Sequence, residues 1–206
     1  MLEVRGPTLT LRYARPQDAP ALLKLGADPL TTRWFSWGPY EDLAQPLAYI
    51  EGLEAKREAG ELLDFLAVHD EHGPIGVTGL SELAARDRRA TVGTWFGRAH
   101  WGSGANPESK ALMAALAFDH LGLNRLTAWA NARNGRSQTA LERVGFRREG
   151  VLRGWHVHAS GIHDVVVFSL LRADFEASPL RAVPAAVSGE PPPVWVVAGA
   201  ASRPSA

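Results

Sequence analysis

The run from residue 64 to residue 131 limits the fold more than any other part of the chain. Three strand-like segments, Asp64–His69, Pro74–Leu83 and Ala90–Gly97, are separated only by the short polar stretches Asp70-Glu-His-Gly73 and Arg86-Asp-Arg-Arg89. Such spacing predicts an antiparallel meander. A turn, Trp101-Gly-Ser-Gly-Ala-Asn106, then leads into Pro107–Leu121, which is apolar at nearly every position past its first turn and reads as a well-buried helix. Asn106 is the expected N-cap and Pro107 the expected first helical residue. Leu126–Asn131 returns to a strand pattern, so this unit should be a parallel crossover, right-handed by the general rule. The sheet must therefore be mixed.

The flanking segments add elements of both kinds. Thr8–Tyr13 alternates apolar and polar residues as a half-buried strand does. Pro16 and Asp18 open a helix with Ala19, Leu22, Leu23 and Leu25 on one stripe, and Asp28-Pro29 ends it. An aromatic-rich loop, Arg33–Tyr40, precedes a second helix, about Leu43–Gly60. Further on, Arg136–Val144 reads as a short helix stopped by Gly145, and Phe146–His158 and His163–Leu171 as long strands joined around Gly161. The order β-α-α-β-β-β-α-β-α-β-β defines an α+β fold, a mainly antiparallel sheet with helices on both faces. Residues 177–206 hold six of the fourteen prolines, so the expectation is a domain over 1–176 and a flexible tail over 177–206. Within that tail Val194-Trp-Val-Val197 has the propensity to add to a sheet edge.

Composition narrows the function classes. Lys+Arg and Asp+Glu are both 22, so no global field draws in nucleic acid or an anionic membrane. Cysteine is absent, which removes disulfides, thiolate metal sites and a covalent acyl-cysteine intermediate. The start, Met1-Leu-Glu-Val-Arg5, shows no basic segment followed by an apolar run, and no apolar stretch is long enough to span a bilayer. A soluble, cytoplasmic protein is expected.

The turn carries the first chemical signal. Gly102 and Gly104 let the backbone bend tightly and align successive amides, and the following helix adds its free N–H groups and positive dipole end. Together these suit a pyrophosphate. The pair alone is weak, since about two Gly-x-Gly pairs arise by chance among 20 glycines in 206 residues. A dinucleotide fingerprint would need a third glycine where Pro107 stands, and no Gly-Lys-Ser/Thr of a P-loop occurs.

A wider pattern is more specific. Trp101-Gly-x-Gly104, Asn134-x-x-Ser137, Gly145-Phe-Arg-x-Glu-Gly150, Gly161-x-His-Asp164 and the opening Leu9-x-Leu-Arg12 with Arg15-Pro-x-Asp18 occur in order over residues 8–175. In this the chain resembles the GCN5-related N-acetyltransferase superfamily, and within it the RimJ/RimL-type ribosomal-protein N-terminal acetyltransferases. The resemblance implies acetyl-CoA as co-substrate and no metal. It implies that the pantetheine arm lies between the strand ending near Gly97 and the strand Leu126–Asn131. Trp95, Phe96 and Gly97 would meet the arm through their backbones, one N–H polarising the thioester carbonyl. Trp101, Gly102, Ser103, Gly104, Ala105 and Asn106 would hold the pyrophosphate, and Asn134 and Ser137 would contact the pantetheine region. Two departures stand out: Asn106-Pro107, where Gly or Ala is usual at the first position, and no Tyr near Leu141.

The implied reaction is direct attack of an amine on the thioester. An α-amine, with a reference pKa near ~8, needs less help losing its proton than a lysine near ~10.4. By resemblance Ser137 stands where the branch places an acid for the thiolate, although Asn134 and Ser137 would also serve simply to cap their helix. His156 is the candidate base, with a solvent-facing strand histidine as the plain alternative. His156, His158 and His163 lack a ligand spacing that completes a metal set. Arg33, Trp34, Trp37 and Tyr40 are candidate acceptor-binding residues, unless the rings are core. The acceptor is expected to be a protein or peptide N-terminal amine, with a small amine or a non-catalytic CoA sensor as alternatives. A homodimer is admitted; no nucleic acid or membrane partner is expected.

Overall fold

The computed structural model describes residues 1–158 and 160–197. Nine strands form one sheet: β1 (Glu3–Arg5), β2 (Leu9–Arg12), β3 (Leu62–His69), β4 (Gly73–Ala84), β5 (Arg89–Phe96), β6 (Arg125–Asn131), β7 (Arg147–His158), β8 (Gly161–Leu171) and β9 (Ala186–Ser188). Their order is β7-β8-β6-β5-β4-β3-β2-β1-β9, and every neighbouring pair is antiparallel except the parallel β5–β6. The helices are α1 (Ala19–Gly26), α2 (Pro29–Thr32), α3 (Ala44–Glu58), α4 (Ala105–Ala115), α5 (Gly135–Arg143) and α6 (Arg172–Glu176). The expected α+β class and the parallel crossover through the buried helix are both present.

Side-chain alternation along β3 separates two cores. Leu63, Phe65 and Ala67 face the larger one, with Leu112, Met113 and Leu116 of the crossover helix; Leu66 faces the smaller, with Ala19, Leu22 and Ile50 of α1 and α3. Asp64 shares the face of Leu66 by the two-residue period. Each fully buried Leu contributes about 1.5–3 kcal/mol relative to exposure, so the sheet's register is strongly fixed.

One irregularity positions everything that follows. β5 and β6 pair only at Arg89–Arg125, Ala90–Leu126 and Thr91–Thr127. Beyond that point Val92–Phe96 stays bonded to β4 and Ala128–Asn131 to β8, but not to each other. The sheet splits, and two inner edges face a gap. Backbone polar groups left unpaired in a protein interior are costly, so such a gap favours an extended guest with its own amides and carbonyls.

Four expectations need correction. β1 was not anticipated, because three residues are too few for a periodic signal. A one-turn helix, α2, extends past Asp28, whose side chain accepts from Leu30 N. The crossover helix starts at Ala105 with Gly104 as N-cap, so Asn106 and Pro107 lie inside its first turn, where no intrahelical N–H is yet required; it ends in a π-helical turn, Leu116–His120.

The fourth correction is the tail. Residues 177–197 are packed: β9 pairs with β1, Leu180 and Val197 are buried, and Trp195 is fully buried with its Nε1–H donating to the Arg57 carbonyl at 2.9 Å. It is Ala186–Ser188, not Val194–Val197, that extends the sheet. The prolines shape turns here, while a few apolar anchors hold the segment down. The remainder of the expected tail, residues 198–206, lies outside the described residues. Among the described residues, no helix is long and apolar enough to cross a membrane.

Candidate active site

The split between β5 and β6 opens into a cavity of about 260 Å³. Its walls are Val92–Phe96 and Ala128–Asn131; its mouth is formed by His100, Trp101, Gly102 and Asn106, with Asn134, Arg136 and Ser137 opposite. Gly102 and Gly104 take φ of +78° and +92°, left-handed values that residues with a Cβ resist, so both glycines are required by the turn. The Trp101 indole is fixed by donation to the Phe96 carbonyl at 2.8 Å, and the Arg136 guanidinium lies 3.3 Å from the centre of its ring. A stacked cation thus stands beside a helix N-terminus and its positive dipole end, an arrangement suited to a diphosphate. The unpaired strand edges, the left-handed turn and this cation fit an extended arm ending in phosphates.

Several sequence candidates converge on this cavity: Trp95, Phe96, Trp101, Gly102, Asn106, Asn134 and Ser137 all line it. Asn134 caps α5, its Oδ1 accepting from Ser137 N at 3.2 Å, so the capping role and the place beside the cavity coexist. Ser103, Gly104 and Ala105 shape the turn without lining the cavity; the Ser103 hydroxyl donates to the His100 carbonyl at 2.9 Å. Gly97 is also displaced from its expected role, because its N–H donates to the Ile75 carbonyl at 2.9 Å and is not free for a guest. His156 does not line the cavity. It stands on β7 with its ring 5.7 Å from that of Trp129, a wall residue, and opposite His163 in the ladder. Among the described residues, no group of three or more His, Asp or Glu side chains is arranged to hold a metal.

A second cavity, about 430 Å³, lies on the α1/α3 face and shares Phe35, Gly93, Thr94 and Trp95 with the first. Trp37 is its hub, with ring centroids 5.3 Å from Phe35, 5.2 Å from Tyr40 and 5.2 Å from Trp95. Of the four candidate acceptor-binding residues, Trp37 and Tyr40 line this cavity, Trp34 lines the first and Arg33 lines neither, its guanidinium stacking on Trp34 at 4.7 Å.

Four residues at these cavities escaped the sequence reading. Asp64 lines the second cavity, accepts from the Tyr49 hydroxyl at 2.7 Å through Oδ2, and is pushed up to about 6 by burial. Lys110 projects from α4 into the first cavity's wall and donates to Thr94 Oγ1, which lies 2.6 Å from Thr78 Oγ1. Lys110 is only 5% exposed and has no carboxylate partner among the described residues; burial pulls it down to about 7. Arg136 and Tyr49 complete the set.

The sequence motifs beyond the cavity are structural. Glu149 accepts from Arg125 at 2.8 Å and from the Ser169 hydroxyl at 2.7 Å, tying β7 to β6 and β8. Asp164 Oδ1 accepts from Gly154 N at 2.7 Å, holding the irregular part of the β7–β8 hairpin.

A sheet parted between β5 and β6, with a left-handed glycine turn at one end of the gap and an aromatic cavity sharing its wall, has the form to admit an extended molecule beside a second one. Comparison with known proteins agrees. Residues 8–147 match the acetyltransferase (GNAT) domain family. The N-acetyltransferase p20 of Bacillus licheniformis, itself uncharacterized, is 30% identical over 168 residues, 81% of this chain and 94% of that protein. YoaA of Bacillus subtilis, another uncharacterized N-acetyltransferase, is 28% identical over 165 residues, 80% of this chain and 93% of that protein. A GCN5-related N-acetyltransferase from Brucella melitensis superposes with a TM-score of 0.78 at 22% identity, over 87% of this chain and 82% of that one. The chain belongs to the GNAT acetyltransferase family, and is an acetyl-CoA-dependent N-acyltransferase.

Proposed function

We propose that the enzyme transfers acetyl from acetyl-CoA to the α-amine of a protein or peptide N-terminus. The observation that carries the donor half is the split between β5 and β6 running into the Gly102–Asn106 turn. The inner edges of Trp95 and Phe96 would pair with the pantetheine arm, and Gly102, Asn106 and Arg136 would hold the pyrophosphate. Acetyl-CoA supplies the activated acetyl group. Ser137, capping-turn neighbour of Asn134 and lining the cavity, is suited to give a proton to the departing thiolate, which with a reference thiol pKa near ~8.5 needs little help.

The acceptor half has two supports. The ordered motifs resemble the RimJ/RimL branch, and YdaF of Bacillus subtilis, 32% identical over 102 residues, is provisionally named a ribosomal N-acetyltransferase. The aromatic cavity, opening against the shared wall Gly93–Trp95, has room for a chain terminus. A free small amine is the second reading, favoured by the depth at which Asp64 lies. Thiol release from acetyl-CoA should be measured against peptides with varied N-terminal residues, blocked-terminus lysine peptides and small amines. Saturable turnover of peptides with free N-termini is expected; saturation by small amines alone would overturn the choice of acceptor.

A further inference from the structure

The second cavity holds a carboxylate that no motif requires. Asp64 occupies the polar phase of a strand that otherwise reads Leu63, Phe65, Leu66 and Ala67, on the face covered by α3. Room for its side chain comes from the neighbouring strand: Gly79 is its ladder partner, and a Cβ there would stand 1.9 Å from Asp64 Oδ1. Tyr49 holds Oδ2, and no other protein donor reaches the carboxylate among the described residues. Oδ1 is thereby left for a guest. The way in is lined by the rings of Trp37, Tyr40 and Trp95, and their π faces together with a carboxylate favour an organic cation. The same cavity shares Gly93, Thr94 and Trp95 of β5 with the donor cavity, so an occupant and the donor would meet across the same stretch of strand.

Resting on the acetyltransferase reading above, we propose that this cavity takes the acceptor as a primary ammonium ion and that Asp64 is the base that removes its proton. The ammonium gives one proton to Asp64 Oδ1, and the freed nitrogen lone pair attacks the thioester carbon. As the C–N bond forms and the C–S bond breaks, Ser137 protonates the thiolate and the second N–H proton restores the one Ser137 gave, leaving amide and thiol. Asp64 then returns its proton to solvent through the cavity.

The surroundings tune this carboxylate to the task. Burial raises it to about 6, against the opposing pull of the Tyr49 hydrogen bond and of Lys56 and Arg57 further along α3. Tyr40 and Tyr49 are the other titratable groups facing it, while β4 and β5 present only uncharged side chains to the cavity. At neutral pH Asp64 is therefore mainly ionised and ready to accept. A base titrating just below the working pH is the efficient choice.

The test is the pH dependence of kcat/KM on the best amine, with acetyl-CoA affinity measured alongside by calorimetry. Wild type should show an acidic limb near about 6. Asp64→Asn should lose that limb and fall about 10²–10⁴-fold in kcat while binding acetyl-CoA normally. Tyr49→Phe should move the limb to higher pH, since the lost hydrogen bond favoured the ionised form. A trimethylammonium analogue of the amine should compete with the amine and not with acetyl-CoA. If Asp64→Asn does not fold, the Tyr49→Phe limb decides: a shift upward supports Asp64, an unmoved limb overturns it. An active Asp64→Asn enzyme with its limb intact, or a limb that disappears in His156→Gln instead, overturns Asp64 alone. A wild-type chain that neither binds acetyl-CoA nor turns over any amine overturns the acetyltransferase reading itself.

Discussion

Replacing Lys110 by Met should stabilise the protein in a way that depends on pH. The lysine is buried in the wall of the cavity at the β5–β6 split, and its one hydrogen-bond partner among the described residues is a threonine hydroxyl. Burial lowers its folded pKa from 10.5 to about 7, so the unfolded chain holds a proton that the folded chain gives up between those values. When the unfolded state binds more protons, stability rises with pH. The penalty is therefore greatest below about 7 and is relieved as pH climbs toward 10.5. Integrating the two titrations from about pH 7.5 to about pH 9.5 gives a rise of roughly 2–3 kcal/mol from this one group. Met is unbranched, of similar length and uncharged, so Lys110→Met removes the penalty without opening a large void. Urea unfolding of both proteins at the two pH values isolates the effect, because every other titrating group cancels in the difference. Wild type should approach the variant's stability by roughly 2–3 kcal/mol as pH rises. Parallel pH dependences would refute a lysine that loses its proton on folding.

Other consequences follow from single features. Gly104→Ala places a Cβ at φ +92° in open space, so its cost is backbone strain of about 1–2 kcal/mol, and the thermal shift produced by acetyl-CoA should shrink with it. Trp195→Ala should cost about 3–5 kcal/mol in denaturant unfolding, because the ring is fully buried and its N–H holds the Arg57 carbonyl; a neutral result would mean that the C-terminal segment does not pack. Glu149, held down to about 2 by Arg125 and Ser169, should contribute stability that is present above its usual 4.5 and lost as pH falls toward about 2. The side chain is 40% exposed, so solvent screening limits the effect to less than about 1 kcal/mol, and Glu149→Gln should flatten that acid limb only slightly.

How much was legible in the sequence depended on the length of the signal. The meander and the crossover helix declared themselves because eight- to twelve-residue strands and a buried helix give many in-phase positions. β1 and β9, at three residues each, give almost none and are held by tertiary pairing. The glycine turn at residues 102–104 was legible because a left-handed backbone demands glycine. Its helix boundary was misplaced by two residues because Asn106-Pro107 looks like a cap but sits inside the first turn. The aromatic cavity was only partly legible. Aromatic clustering in one loop pointed to Arg33, Trp34, Trp37 and Tyr40, of which Trp37 and Tyr40 line that cavity, but Asp64 and Lys110 are single charged residues in an apolar strand and an apolar helix. A lone Asp in a strand reads as solvent-facing, and nothing local shows that Gly79 clears space beside it or that Tyr49 reaches it from a helix 15 residues away. The C-terminal segment was misread for the same reason, since proline content describes the turns and not the buried tryptophan between them.

The central claim is that an extended donor arm fills the split between β5 and β6. Amide hydrogen exchange with and without acetyl-CoA tests it most directly, because each backbone edge reports its own pairing. Protection should appear along residues 92–96, on the free edge of 128–131 and across the turn 102–106, while β1, β2 and β9 stay unchanged. Exchange along 92–96 and 102–106 that does not respond to saturating acetyl-CoA would contradict the account.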